Sequence, residues 1–129
     1  MKKIIILMGI FFISILLYGC KTNYAEAAGV YKLYEVTGGF KLSDYEYYTI
    51  ELFEDQKAIV LQKRSIANAE EYKAVSTYEI KGDIIIFTTK VGFTNYKEYY
   101  SYINGEIHMI NTEDSNDGIE FVAKFRREE

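Results

Sequence analysis

Two regimes of hydrophobic patterning divide the chain. Residues 4–18 are apolar almost without interruption, preceded by Lys2 and Lys3 and followed by Gly19, Cys20 and Lys21. From Gly29 onward, apolar positions instead alternate with polar ones in short runs separated by Gly, Asn, Asp and Ser. A period of two sets one face of each run against a core and the other in water, the pattern of half-buried strands joined by turns.

The alternation predicts strands over 29–36, 47–53, 58–62, 72–80, 84–89, 96–103 and 106–111, and a last one around 121–125. Inward faces follow from parity: Tyr31 and Leu33; Tyr48, Ile50 and Leu52; Tyr72, Ala74, Ser76, Tyr78 and Ile80; Phe121, Ala123 and Phe125. Asn104-Gly105 is the strongest hairpin signal, because both residues tolerate positive φ. Stretch 63–71, with Ala67, Ala69, Glu70 and Glu71, has helix-like composition but is too short to stand alone; it reads as a loop with at most one helical turn. Residues 21–28 have no strand period and read as a flexible tether, in which Tyr24 is the one side chain able to pack.

Connections this short cannot make parallel crossovers. The expected fold class is therefore all-β: an antiparallel, eight-stranded, up-and-down meander closing into a barrel, preceded by a helical signal peptide. Closure removes the exposed edges that invite aggregation. An eight-stranded barrel has an interior that side chains fill or that holds one small ligand, so the state of that interior decides between functions.

Gly29-Val30-Tyr31-Lys32-Leu33 resembles the G-x-W/Y-x-L opening of lipocalin-like domains, and Phe125-Arg126 resembles their aromatic-arginine close. Between them, Tyr78-Glu79-Ile80-Lys81-Gly82-Asp83-Ile84-Ile85 is similar to the strand, glycine turn, strand of small bacterial lipocalin-like lipoproteins. The resemblance implies a lipocalin-like barrel over 29–129 and leaves the ligand open.

The first regime has the cationic start, apolar middle and small residue at the cut of an export signal. It stops short of the roughly 20 residues a membrane-spanning helix needs. Leu17-Tyr18-Gly19-Cys20 resembles the lipobox of bacterial lipoproteins, which implies diacylglyceryl transfer to the Cys20 sulfur and cleavage before Cys20. The alternative is an ordinary signal peptide followed by an unrelated cysteine. On the lipoprotein reading, 1–19 is the signal peptide, 20–28 the lipidated cysteine and tether, and the mature protein sits lipid-anchored on the extracytoplasmic face of the cell membrane. Two acyl chains suffice for stable anchoring where one does not. Cys20 is the sole cysteine, so no disulfide staples the domain.

Cleavage would leave 13 basic against 19 acidic residues, a balance of −6. An acidic domain without a basic stripe argues against nucleic acid as a partner and against adhesion to anionic lipid by charge. Membrane attachment then rests on the anchor.

Candidate chemistry is sparse. His108 is the one histidine, and alternation sets it opposite Ile107 and Met109, toward solvent. A metal site would need further nitrogen or sulfur ligands, and no serine lies in a nucleophile-elbow context. In 113–118 the EF-hand spacing fails, because Lys124 stands where a bidentate glutamate is required. Gly38-Gly39 lacks the lysine and helix of a phosphate loop. Glu51, Glu79 and Glu98 have the outer face as their default home. No metal, no cofactor and no enzymatic activity are expected.

The remaining signal is aromatic, with 13 tyrosines. Tyr99 must point opposite to Tyr100 and Tyr102. Tyrosine simply packs well in strands; beyond that, Tyr31, Tyr48, Tyr78, Tyr100 and Phe121 are candidates to line a cavity for a small apolar or amphipathic ligand. Alternatively, Tyr99 with Tyr34 or Tyr47 would form an external patch, making the domain a surface module that binds or inhibits an envelope or host protein.

Overall fold

The structure, a computed structural model, describes residues 23–111 and 121–128. The signal-like segment, Cys20 and the acidic 112–120 segment lie outside the described residues. Eight strands are present: β1 (Gly29–Thr37), β2 (Tyr45–Leu52), β3 (Lys57–Arg64), β4 (Tyr72–Lys81), β5 (Ile84–Val91), β6 (Thr94–Ile103), β7 (Glu106–Asn111) and β8 (Phe121–Arg127). Each pairs antiparallel with its neighbour in sequence, and β8 returns to β1, so the sheet closes into an up-and-down barrel. Every expected strand is found, several extended by two or three residues. β5 and β6 pair out to Val91 and Thr94, which shortens the expected 92–95 loop to Gly92-Phe93. Segment 65–71 contains no helix, and Leu42–Asp44 forms a 3-10 turn at the Ser43-Asp44 position.

Asn104 and Gly105, both at positive φ (55° and 73°), join Ile103 to its partner Glu106, as a two-residue hairpin with matching twist requires. Alternation carries Tyr31, Ile50, Leu52, Ala58, Tyr78, Ile85, Ile107, Ala123 and Phe125 into a closed core. Two bulges reset parity. One between Leu33 and Glu35 lets both Leu33 and Val36 pack inward although they are an odd three positions apart. The other, between Tyr45 and Tyr47, brings Tyr45 beside Tyr48, ring centres 5.4 Å apart.

The barrel has two unlike ends. At one, the turns after β2, β4 and β6 gather around a helical turn, α1 (Tyr24–Ala27). Asn23 caps it by accepting from the Glu26 N–H at 3.3 Å. Ala27 is buried, Tyr24 meets the Tyr78 ring edge-on at 5.6 Å, and the Tyr31 hydroxyl donates to the Ala27 carbonyl at 2.6 Å. The flexible-tether expectation for 20–28 is thereby corrected from Asn23 onward. A single turn has no stability of its own, but here its apolar side seals the barrel floor. The opposite end, where the connections after β1, β3, β5 and β7 emerge, holds the cavity.

Candidate ligand-binding site

The interior is half filled. Toward the α1 end, Tyr31, Ile50, Leu52, Tyr78, Ile85, Ile107 and Phe125 are packed to near-zero exposure. Toward the other end lies a cavity of about 320 Å³, the small end of the range for ligand sites. Inward-facing residues of β2 to β7 build it: Ile50, Val60, Ala74, Phe87 and Met109 give apolar surface, and Gln62, Ser76, Thr89, Glu98 and the hydroxyls of Tyr48, Tyr72 and Tyr100 give polar atoms.

Alternation explains the set. Glu98 and Tyr100 sit two apart on β6, so both face in, and the Tyr100 hydroxyl donates to the Glu98 carboxylate. The acceptor needs a proton on Tyr100, so burial and then this bond drive the phenol well above its ordinary pKa. Burial likewise pushes Tyr48 up to about 12, helped by neighbouring Tyr45, Glu98 and Tyr72. These groups share one field at the mouth. Among the described residues the lining contains a single carboxylate and no Lys, Arg or His.

The five sequence candidates separate by depth. Tyr48 and Tyr100 border the cavity. Tyr31 and Tyr78 belong to the filled end, where the Tyr78 hydroxyl donates to the Phe53 carbonyl at 2.7 Å and Tyr31 holds α1. Phe121 stands on the rim, edge-on to Phe40 with ring centres 5.7 Å apart. There Arg64 lies 5.3 Å from the ring centres of both Phe40 and Tyr45. Glu98 is the residue that sequence reasoning missed by assigning it to the outer wall; its shared parity with Tyr100 and Tyr102 was the available signal.

The outer wall carries the remaining candidates. His108 Nε2 is 2.9 Å from Glu106 Oε1, which also accepts from the Tyr34 hydroxyl. These two bonds, His108 first, hold the Glu106 carboxyl below its usual range. Ser101 is the cross-strand partner of His108 on this wall. Tyr99, 61% exposed, shares a shallow groove with Ile84, His108 and Ile110; Tyr34 donates to Glu106, the carboxylate that His108 of this groove also meets, and Tyr47 donates to Glu71. Among the described residues no group of three or more His, Cys, Asp or Glu could hold a metal ion. No family model, curated protein or solved structure matches the chain.

Proposed function

We propose that this chain is an envelope lipoprotein, anchored by a lipid on Cys20, whose lipocalin-like barrel binds a small amphipathic ligand without transforming it. The observation that carries the ligand reading is the cavity itself, about 320 Å³ of space bounded by apolar side chains below and polar ones at its mouth. A barrel of the same strand number can be filled throughout by side chains; the described residues of this one fill the α1 end and leave the cavity at the other. The histidine most suited to acid–base chemistry is on the outer wall, outside the cavity lining.

Anchor and cavity fit together geometrically. Asn23 is three residues beyond Cys20, at the sealed end, and three residues reach at most about 10 Å. A lipid on Cys20 would therefore hold the sealed end toward the membrane and turn the mouth to the aqueous side. Ligand would be taken from solution rather than from the bilayer.

Native mass spectrometry of the full chain after exposure to envelope extract tests the reading. A bound small molecule lost in the Ala74→Trp variant, which fills the cavity, is expected. An apo mass under all conditions, with the cavity open, overturns it.

A second reading, a module docking on an envelope or host protein, is favoured by the exposed apolar side chains of Ile84, Tyr99 and Ile110 around one groove. Pull-down with wild type and Tyr99→Ser discriminates: equal recovery, or none, counts against it.

A further inference from the structure

We propose that the cavity is selective for an organic cation, a small ammonium ion with an apolar body, held by Glu98 and the rings of Tyr48, Tyr72 and Tyr100. The inference rests on the ligand reading above and narrows it to a chemical class.

Charge supplies the first reason. Glu98 is the one carboxylate of the lining among the described residues; it accepts from the Tyr100 hydroxyl, and a carboxylate with two oxygens has further acceptor sites to offer. No lysine or arginine among the described residues pairs with it. An anionic head group would meet this carboxylate directly, within a chain of net charge −4. A neutral hydroxyl head would donate a hydrogen bond to it but gain no attraction between opposite charges.

Ring geometry supplies the second. Tyr48, Tyr72, Phe87 and Tyr100 all border the same space, with Phe87 and Tyr100 centred 5.7 Å apart. Aromatic faces carry negative potential and attract cations, most strongly where water is partly excluded, and aromatic cages are how proteins recognise alkylated ammonium groups. The apolar floor of Ile50, Val60 and Met109 would take the body of the ligand.

The molecule itself supplies the third. Each of its three arginines lies over aromatic rings: Arg64 over Phe40 and Tyr45, Arg126 at 4.6 Å over Tyr34, and Arg127 at 5.7 Å over Tyr31. Ring and cation are thus matched at the rim, on the outer wall and at the sealed end. At the cavity, rings and a carboxylate converge with no cationic side chain in the lining among the described residues.

Calorimetric titration of the full chain with three probes of similar size tests this: butyltrimethylammonium, 1-hexanol and hexanoate. The expected result is binding of the ammonium ion about tenfold tighter than the alcohol, with hexanoate weakest. Glu98→Gln should bring the ammonium ion down to the level of the alcohol and leave the alcohol unchanged. Tyr72→Leu, at a 60% exposed position that the fold does not depend on, should weaken the ammonium ion more than the alcohol. If alcohol and ammonium ion bind equally to wild type, or Glu98→Gln changes neither, the cation preference is overturned while the ligand reading stands. If none of the three binds, both fall.

Discussion

Arg127 and Gly29 occupy each other's space. A methyl group on Gly29 would lie 2.8 Å from Arg127 Cδ, and Gly29 itself has φ of 148°, a region that side chains disfavour. The close approach lets the guanidinium cross the sealed end, where Nη1 donates to the Glu26 carbonyl at 2.5 Å while the group lies over Tyr31. One glycine therefore permits the contact that ties the first strand, the last strand and α1 together.

The first prediction follows. Gly29→Ala should destabilise the protein by about 1–3 kcal/mol, part from backbone strain and part from displacing Arg127. In an Arg127→Ala background the displacement is already absent, so the same substitution should cost less; residues in contact are not additive. Urea midpoints of the two single variants and the double variant measure the coupling. Simple additivity would mean that Arg127 contributes nothing at Gly29.

Strand placement was legible in the sequence because the period-two pattern is imposed by burial, and burial is what holds Tyr31, Ile50, Leu52, Tyr78 and Phe125 in the core. Three features were not legible. Parity gives the face a residue points to but not its depth along the barrel, so Tyr31 and Tyr78 were grouped with Tyr48 and Tyr100 although a filled layer separates them in role. Polarity misled for Glu98, since a carboxylate faces inward only where a mouth gives it water or a donor such as Tyr100. The α1 turn has no intrinsic helix signal of sufficient length; its structure comes from Asn23, Tyr31 and Arg127, the last of which is distant in sequence. Adjacent on β8, the two arginines take opposite faces: Arg127 lies over Tyr31 and Arg126 over Tyr34.

Alkaline pH should unfold the barrel through its interior phenols. Burial pushes Tyr48 and Tyr78 up to about 12, and drives Tyr31 and Tyr100 upward as well. The unfolded value is about 10. A folded pKa above the unfolded one means that the stabilisation is complete below about pH 10 and is lost as pH rises through about 12. Ultraviolet titration should show Tyr48 and Tyr78 ionising near pH 12, together with loss of the β-sheet circular dichroism. A single titration centred near pH 10 with the fold intact would refute the burial-driven shifts.

Two phenylalanines should differ sharply in cost. Phe125 is fully buried and meets the Tyr48 ring edge-on at 4.9 Å, whereas Phe93 stands at the tip of the β5–β6 turn, fully exposed. Phe125→Ala should cost about 3–5 kcal/mol, the range for emptying an aromatic site in a core. Phe93→Ser should change stability by less than about 0.5 kcal/mol. Thermal melts of both variants check this, and a large loss at Phe93 would show that the tip packs on something in solution.

The anchor is tested by chemistry at Cys20. If the lipobox resemblance holds, the sulfur carries a diacylglyceryl group in thioether linkage and the peptide bond between Gly19 and Cys20 is cut, so the first residue of the mature chain bears the lipid. Two chains make attachment stable, and the acidic domain offers no electrostatic substitute. Mass spectrometry of the N-terminal peptide from cells should therefore find it beginning at Cys20 and carrying the lipid, and Cys20→Ala should abolish that species. A free thiol at Cys20, or a chain that keeps residues 1–19, would defeat the lipoprotein reading. The barrel's cavity and its predicted preference for a cation would survive that result, because neither depends on residues before Asn23.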